Sequence, residues 1–310
     1  MKTRQIYQLW PSQQVSDGAG VKIRRSIGLQ PHLRLDPFLM LDCFGSEQAD
    51  DYLAGFPSHP HRGFETVTYM LDGHMLHQDH LGNQGHLKSG GVQWMTAGSG
   101  IIHSEMPQQS AGLMRGFQLW LNLPANEKMK DPAYVDLAPE QLTHAELPNG
   151  NKAVVIAGTL ELPALQLQFR GPIQAITTAP LYVDLTLAAG QSLQLLLPAG
   201  HQALVYPFEG EVYIGAASEA APTTAGQTID PATLGSKVSC HHAAILTDGE
   251  LLTLNSLAPV RLLVLAGRPL REPVVQYGPF VMNHVSEIEQ AIRDYQAGTL
   301  TQKVAGTLAV

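Results

Sequence analysis

The residues of this chain that could do chemistry are concentrated in two short segments. His59 and His61 are two residues apart in the first segment, and His103 and Glu105 are two residues apart in the second. In an extended strand, side chains at i and i+2 lie on the same face, with their Cβ atoms about 6.6 Å apart. Imidazole nitrogens bind zinc at about 2.0–2.1 Å, so each pair could converge on one ion. The spacing therefore predicts one metal site built from two pairs of ligands.

A single His-x-His pair is a weak sign of a metal site, because the same pattern occurs in solvated turns. The first pair gains weight from the second, since four ligand-type side chains then occur as two same-face pairs. Pro60 has no N–H to donate to a neighbouring strand, which places the first pair on an edge strand or at a strand entry. We interpret the two pairs as one metal site inside a β-barrel.

The composition limits the classes to which the chain can belong. Its 310 residues predict two domains. A net charge of −8, a pI near 5.9 and the lack of any Lys/Arg run argue against direct nucleic-acid binding. Two cysteines cannot form a disulfide framework, which favours a reducing compartment. Without a signal peptide or a continuous apolar stretch of about 18 residues, we predict a cytoplasmic protein with no membrane span.

Short strands separated by turns explain most of the remaining pattern. Glycine (29 residues) and proline (21 residues) interrupt runs that are rich in β-branched and aromatic residues. The predicted strands are 21–27, 38–44, 66–71, 74–79, 92–96, 116–124, 181–187, 192–197, 203–206, 211–214 and 260–265. Asp72-Gly73 predicts a hairpin between the third and fourth of these strands. This density of strands predicts an all-β fold of small barrels or sandwiches.

The strand pattern weakens between residues 126 and 151, where prolines recur. We predict the domain junction here, with an N-terminal domain at 1–135 and a C-terminal domain at 136–310. Near the C-terminus, Ser286 and Glu289 form a capping-box pattern. Apolar residues then follow at helical spacing: Ile288, Ala291, Ile292 and Tyr295. They predict a short amphipathic helix.

The second half of the chain reads as a diverged copy of the first. If the Glu-Gly pair at 209–210 is aligned with the Asp-Gly pair of the predicted hairpin, Leu196 and Pro198 fall at the positions of His59 and His61. Neither residue can bind a metal, so we expect the C-terminal domain to be structural or to contact a partner. Residues 215–226, rich in alanine and glycine, predict a surface excursion.

Several segments together resemble one protein family. They are VKIRRSIG at 21–28, LDPFLMLD at 35–42, HPHRGFETVTY at 59–69, HSE at 103–105, GFQLW at 116–120 and GPFVMN at 278–283. These segments resemble the pirin family over nearly the whole chain. The resemblance implies two cupin barrels (double-stranded β-helix, jelly-roll-like) packed together, a short C-terminal helix, and one metal in the N-terminal barrel. It implies that His59, His61, His103 and Glu105 are the metal ligands.

Glu65 is a second candidate for the carboxylate ligand. The general cupin pattern His-x-His-x3-Glu would make Glu65 a ligand, whereas the pirin pattern gives that role to Glu105. Glu65 shares strand parity with His59 and His61, so it could point inward in either case. Gly98 stands where general cupins have a proline, which favours the pirin pattern. We therefore assign Glu105 to the metal and Glu65 to a supporting or structural role.

Three imidazoles and one carboxylate would leave about two positions open on an octahedral ion, as in non-haem iron sites. A structural zinc is more often closed by four ligands, commonly thiolates, and neither Cys43 nor Cys240 is near the motif. We expect one divalent metal per chain, with Fe(II) first and Cu, Mn, Co, Ni and Zn as alternatives that suit the same ligands.

The resemblance implies a function and an alternative. The function is that of quercetin 2,3-dioxygenase, which uses O2 to open the heterocycle of a flavonol and releases carbon monoxide; Glu105 would be its catalytic base. The alternative is a non-enzymatic, metal-binding regulatory protein that contacts transcription factors or metabolic enzymes. A C-terminal domain without ligands favours this alternative.

Other candidate residues have ordinary structural interpretations beside the functional ones. Cys240, His241 and His242 could form a soft-metal patch, but a loop is the preferred interpretation. Four further histidines could line the mouth of the barrel, although surface or turn positions are the preferred interpretation for most of them: His74, His77, His80 and His86. A pocket wall or a core could be formed by Trp94, Met95 and Trp120. Arg62-Gly63 could bind an anion or form a turn.

Overall fold

Short β-strands and one α-helix make up the described part of the chain. The computed structural model describes residues 1–30, 33–174, 176–215, 234–301 and 306–308. Its one α-helix in these ranges is α1 (Val285–Gln296), so the predicted all-β class is confirmed. None of the described helices is both long and apolar enough to cross a membrane. Of the predicted excursion at 215–226, residues 216–226 lie outside the described ranges.

The strands are short and follow one another closely. In chain order they are β1 (Ile6–Pro11), β2 (Gln13–Asp17), β3 (Val21–Ile27), β4 (Phe38–Ser46), β5 (Phe56–His61), β6 (Phe64–Asp72), β7 (His74–Asp79), β8 (Gln84–Lys88), β9 (Val92–Thr96), β10 (Ile101–Pro107), β11 (Met114–Asn122), β12 (Ala133–Leu137), β13 (Thr143–Glu146), β14 (Lys152–Ala157), β15 (Thr159–Leu162), β16 (Leu167–Arg170), β17 (Leu181–Leu187), β18 (Gln191–Leu196), β19 (Gln202–Glu209), β20 (Val212–Ile214), β21 (Ser236–Val238), β22 (His242–Leu246), β23 (Leu251–Ser256), β24 (Val260–Gly267), β25 (Val275–Tyr277), β26 (Phe280–Met282) and β27 (Gly306–Thr307).

The chain folds into two compact units, each of which takes one chain end from the other half of the sequence. The N-terminal unit comprises Gln13–Gln141 and Leu270–Val310, and the C-terminal unit comprises Met1–Ser12 and Leu142–Pro269. The junction after residue 141 lies close to the predicted one after residue 135. The predicted domains were continuous segments, so they did not include the exchange of chain ends. The sequence of a short terminal strand does not indicate which sheet edge it will pair with. Here β1 pairs with β22, and β27 pairs with β12.

Each unit contains a larger and a smaller sheet. In the N-terminal unit the strand orders are β2-β3-β4-β11-β6-β9-β12-β27 and β5-β10-β7-β8, with β25 and β26 as a separate pair. In the C-terminal unit the orders are β13-β14-β17-β24-β19-β22-β1 and β16-β15-β18-β23-β20-β21. The series β4-β11-β6-β9 and β5-β10-β7-β8 therefore recur as β17-β24-β19-β22 and β18-β23-β20-β21. The two units therefore share one strand order, as the prediction of a repeated fold requires.

The interior of the C-terminal unit is apolar where the N-terminal unit carries histidines. On β18, the counterpart of β5, the buried side chains are those of Leu193 and Leu195. They belong to one aliphatic core cluster of that unit. The predicted alignment placed Leu196 and Pro198 at the histidine positions, but Leu196 is half-buried and Pro198 is exposed. The predicted register was wrong by three residues, because the loop after β18 (197–201) is three residues longer than the loop after β5 (62–63), and an alignment of the two turns does not account for it.

The predicted hairpin at Asp72-Gly73 is wrong. β6 belongs to the larger sheet and β7 to the smaller one, so the chain turns a corner between sheets instead of folding back on itself. Gly73 has φ of 104°, which suits this corner. Both flanking strands pair with more distant partners, β6 with β11 and β9, and β7 with β10 and β8. Those long-range pairings override the local turn signal.

The C-terminal helix begins earlier than its predicted capping box. Its N-cap is His284, and the Glu287 carboxylate accepts hydrogen bonds from the backbone N–H groups of Asn283 and His284 at 3.0 and 2.8 Å. The predicted cap at Ser286 and Glu289 is therefore wrong, since an earlier glutamate satisfies the free N–H groups. The predicted apolar face is confirmed at Ile288 and Ala291, which pack on Phe280, Met282 and Leu300.

Candidate metal centre

Two neighbouring strands of the smaller sheet bring three histidines together. β5 is the edge strand of that sheet, as Pro60 predicted. It runs antiparallel to β10, with His103 opposite His59. Since His59 and His61 are two residues apart on one strand, all three histidines lie on the same face of the sheet.

The three imidazoles are close enough to share one ion. One ligand nitrogen from each of His59, His61 and His103 lies within 4.8 Å of the others. The His59 and His61 Nε2 atoms are 3.0 Å apart, and the ring centroids are separated by 4.4–4.9 Å. His61 and His103 are 2 % and 1 % exposed, while His59 is half-buried. The group is thus accessible from one side only.

The chemistry of these nitrogens suits a divalent metal. His103 Nε2 is buried and has no hydrogen-bond partner, which is costly unless another group uses its lone pair. Burial lowers the pKa of His61 well below the usual 6.5, and the neighbouring His59 acts in the same direction. Burial, with His61 and His59 next, likewise lowers the pKa of His103. Neutral imidazoles keep the lone pairs that metals bind, so His61 and His103 are suited to such an ion, and His59 supplies a third nitrogen within reach.

Glu105 lies beside the three histidines, but its carboxylate is not part of their group. It is 5 % exposed and lines the same cavity as His59 and His61. Its Oε1 lies 3.0 Å from the Thr68 hydroxyl, which can donate a hydrogen bond to it. A register irregularity separates His103 from Glu105 where β10 pairs with β5. The structure thus brings together three of the four predicted ligands, and the role of Glu105 stays a prediction.

Glu65 faces away from the cavity. It lies three residues before Thr68 on β6, and Thr68 lines the cavity, so alternation along the strand directs Glu65 to the opposite face. Its Oε1 accepts a hydrogen bond of 2.7 Å from Thr96. Burial raises the pKa of Glu65, against the effect of that hydrogen bond. Although Glu65 has the same strand parity as His59 and His61, its side chain does not face the cavity. The reason is that the chain passes from one sheet to the other between β5 and β6.

A cavity of about 640 Å³ opens beside the histidines within the N-terminal unit. Its apolar wall includes Leu39, Met40, Phe44, Phe56 and Trp120. Trp120 packs edge-on against His61 at 5.2 Å between ring centroids, which agrees with its predicted place in a pocket wall. Trp94 and Met95 are fully buried and do not line this cavity. Binding sites of this size and apolar character are typical of small-molecule ligands.

An ion pair in the cavity wall was not found from the sequence. Arg25 donates from Nε and Nη2 to the two Asp42 carboxylate oxygens at 2.8 and 2.7 Å. The two residues lie opposite each other on β3 and β4. Both belong to segments that carry the family resemblance, but only the pairing of the strands reveals that they meet. The lining of the cavity thus combines this ion pair with apolar side chains.

Two further basic side chains anchor the turn that follows His61. Arg62 donates from Nε to Ser99 O at 2.5 Å and from Nη1 to Asp294 of α1 at 2.7 Å, so its turn role is favoured over anion binding. Lys128 is 1 % exposed and donates to Gly63 O at 2.7 Å, and also to Asn122 and the Val281 carbonyl. No sequence pattern pointed to Lys128, because its partners are mostly backbone carbonyls.

The other histidines in the described ranges do not line the cavity. His86 is exposed and its Nδ1 lies 2.9 Å from His74 Nε2, whereas His77 is buried beside His103. In the C-terminal unit, the Cys240–His242 segment forms the turn into β22, as the loop interpretation predicted. Among the described residues, the one group of three or more potential metal ligands is that of His59, His61 and His103.

Comparison with known proteins agrees with the resemblance found in the sequence. The family model named Pirin matches residues 20–121, and the model named Pirin C-terminal cupin domain matches residues 182–301. Human pirin is 40% identical over 289 residues, which cover 92% of this chain and 90% of the relative. A Pseudomonas aeruginosa protein, provisionally named a quercetin 2,3-dioxygenase, is 50% identical over 297 residues, which cover 96% of this chain and 98% of the relative.

A solved structure shows the same architecture over almost the whole length. The quercetin 2,3-dioxygenase of Acinetobacter baumannii superposes with a TM-score of 0.80 and 31% sequence identity. The match covers 97% of this chain and 99% of that protein. Together with the two family models, it identifies both units as cupin domains.

Proposed function

Because this chain belongs to the pirin family, we propose that it is a metal-dependent dioxygenase that opens flavonols such as quercetin with molecular oxygen. The observation that carries the proposal is the group of three converging imidazoles, two of which, His59 and His61, line a 640 Å³ cavity. The names of the Pseudomonas and Acinetobacter relatives support this reaction class. The apolar wall around Trp120 suits a flat aromatic substrate.

His59, His61 and His103 would hold the metal, with Fe(II) as the first expectation. A divalent ion there would supply Lewis acidity toward a substrate hydroxyl and a template for substrate and oxygen. The rest of the site would be built from the chain's own groups. Trp120 would hold the aromatic rings of the flavonol, and the half-buried His59 would border the side from which substrate enters.

Glu105 would accept the hydroxyl proton of the flavonol. Its carboxylate lies in the cavity wall beside the histidines, within reach of a substrate bound there. The Thr68 hydroxyl, 3.0 Å from Glu105 Oε1 and 2.6 Å from Gln118 Oε1, would orient the carboxylate toward the cavity. A base in this position contributes a factor of about 10²–10⁴ to the rate of a proton-transfer step. Coordination by Glu105 as a fourth ligand remains part of the proposal.

The proposal is tested by measuring oxygen uptake and carbon monoxide release with quercetin. Protein stripped of metal is reloaded anaerobically with Fe(II), its metal content is determined, and flavonol is added in air. We expect about one metal per chain and uptake only in the loaded protein. His61→Ala should lose both metal and uptake, because it removes one of three converging nitrogens.

His86→Ala is the matched control, since this histidine is exposed and does not line the cavity. It should keep the metal content and the uptake of the wild type. Oxygen uptake by the loaded wild type that is no faster than that of the stripped protein would contradict the proposed reaction. Equal loss of metal in both variants would contradict the assignment of the site.

A metal-dependent regulatory protein is the second candidate function. The observation that favours it is the C-terminal unit, which keeps the strand order of the N-terminal unit but fills its interior with aliphatic side chains. Such a unit could act only through its outer surface, for example on a transcription factor or a metabolic enzyme. The test compares partner capture by the metal-loaded wild type and by His61→Ala. A partner retained equally by both proteins would argue against metal-dependent regulation.

A further inference from the structure

A buried histidine on the neighbouring strand contacts the proposed ligand His103. β7 pairs with β10 so that His103 lies opposite Asp79 and Glu105 lies opposite His77. His77 and His103 are therefore diagonal neighbours on one face of the sheet, a distance that two imidazoles can bridge. His77 Nε2 lies 2.8 Å from His103 Nδ1, and His77 is 2 % exposed. The two rings form a hydrogen bond inside the barrel.

Either ring can donate this hydrogen bond, and the two directions have opposite consequences for metal binding. If His103 carries its proton on Nδ1, it donates to His77 Nε2 and keeps the lone pair of Nε2 for the metal. If His77 donates from Nε2 instead, a neutral His103 carries its proton on Nε2, where it blocks the nitrogen. His103 Nε2 is buried and has no hydrogen-bond partner. Only donation from His103 Nδ1 to His77 Nε2 leaves this nitrogen free to bind an ion.

The surroundings of His77 hold its ring in place. The Tyr134 ring packs against it edge-on at 5.7 Å between ring centroids, and the His103 ring lies at 4.9 Å. Asp79, the nearest carboxylate along the strand, is already engaged by Leu81 N, Asn83 N and Asn83 Nδ2 at 2.8–3.0 Å. His77 is thus buried in contact with two rings, and its Nε2 lies within hydrogen-bond distance of His103.

We propose that His77 is a positioning residue that accepts the Nδ1–H of His103 and so fixes the tautomer and ring orientation that direct His103 Nε2 at the metal. This inference rests on the proposed metal site and goes beyond it, because it concerns the proton on a residue of the metal-free chain. Partners that hold a ligating histidine in this way commonly account for about 10-fold to 100-fold in metal affinity.

The first test reads the tautomer directly in metal-free protein. Long-range ¹H–¹⁵N NMR of the imidazoles distinguishes a protonated Nδ1 from a protonated Nε2. We expect His103 of the wild type to be protonated at Nδ1. His77→Leu should give a mixture of the two tautomers, because an aliphatic side chain accepts no hydrogen bond. His77→Gln should restore the wild-type tautomer, since its amide oxygen can accept the same proton.

The second test measures metal affinity by competition with a chelator, using Zn(II) as the probe. His77→Leu should bind zinc about 10-fold to 100-fold more weakly than the wild type, and His77→Gln should recover most of the loss. His86→Gln is the control, because this histidine lies on β8 and has no contact with His103. Thermal unfolding of each variant shows whether a lower affinity reflects a destabilised barrel.

The two tests separate the inference from the proposed function. A His103 tautomer that is unchanged in a folded His77→Leu variant overturns the positioning role, whatever the zinc affinity. Weaker zinc binding that His77→Gln does not recover overturns it as well. If the wild type binds no zinc, the metal site fails as a proposal, and the NMR result alone then decides whether His77 sets the tautomer.

Discussion

Gly63 offers the sharpest test of how the histidine turn is held in place. It follows His61 and Arg62, has φ of +91°, and accepts a hydrogen bond from Lys128 through its carbonyl. A Cβ added to Gly63 would lie less than 3.0 Å from the backbone oxygen of Val281 and 2.8 Å from Met282 Sδ. Gly63→Ala therefore forces β26 to move, and backbone cannot rotate out of the way as a flexible side chain can.

The cost of Gly63→Ala has two parts. The positive φ disfavours any residue with a Cβ by about 1–2 kcal/mol. Overpacking against β26 adds about 1–3 kcal/mol and strains the hydrogen bond from Val281 N to Arg62 O. The free energy of unfolding should fall by about 2–5 kcal/mol in total, which is a large part of the stability of a domain.

Gly82 is the matched control for the backbone part of this cost. Its φ is +84°, close to that of Gly63, but a Cβ there would meet no described atom within 4 Å. Gly82→Ala should therefore cost only about 1–2 kcal/mol. Urea denaturation followed by tryptophan fluorescence suits both variants, because Trp94 and Trp120 lie in the N-terminal unit. Equal losses in the two variants would refute the argument that β26 closes on Gly63.

Three further predictions concern neighbouring groups. Glu105→Gln should lower flavonol-dependent oxygen uptake by about 100-fold or more, because the amide cannot accept the hydroxyl proton, and unchanged uptake in the metal-loaded variant would show that Glu105 is not the base. Burial lowers the pKa of Lys128 from 10.5 to about 8, so the unfolded chain binds more protons in this range and the wild type should gain up to about 3 kcal/mol as pH rises from 8 to 10.5. Lys128→Met should lack that gain in urea denaturation at each pH, and an identical pH profile would show that the lysine is not perturbed. Asp294→Asn removes the charge that faces Arg62 and should cost about 1–3 kcal/mol in the same assay, whereas no change would show that the ion pair is dispensable.

The sequence predicted those parts of the fold and site that depend on local spacing. His59 and His61 share a face because they are two residues apart on a strand, and Pro60 places that strand at an edge. The pattern of short β-branched and aromatic runs separated by turn residues likewise predicted the all-β class and the repeat. The predicted hairpin at 72–73 was wrong, because a turn signal is local. The sheet that each flanking strand joins depends instead on its distant partners.

Pairings across long sequence separations were decided by the tertiary structure alone. Arg62 and Asp294 are 232 positions apart, and His77 and His103 meet only because β7 pairs with β10 in one register. Similarly, Glu65 has the parity of the histidines but faces the other way, because the chain changes sheets between β5 and β6.

The amino-acid sequence by itself determined which side chains could bind a metal and that two of them share a strand face. Only the tertiary structure decided that His103 joins them, that Glu105 lies beside the group, and that His77 Nε2 lies 2.8 Å from His103 Nδ1. The physical reason is that side-chain alternation repeats every two residues along one strand, whereas the register between strands is set by the packing of the whole barrel.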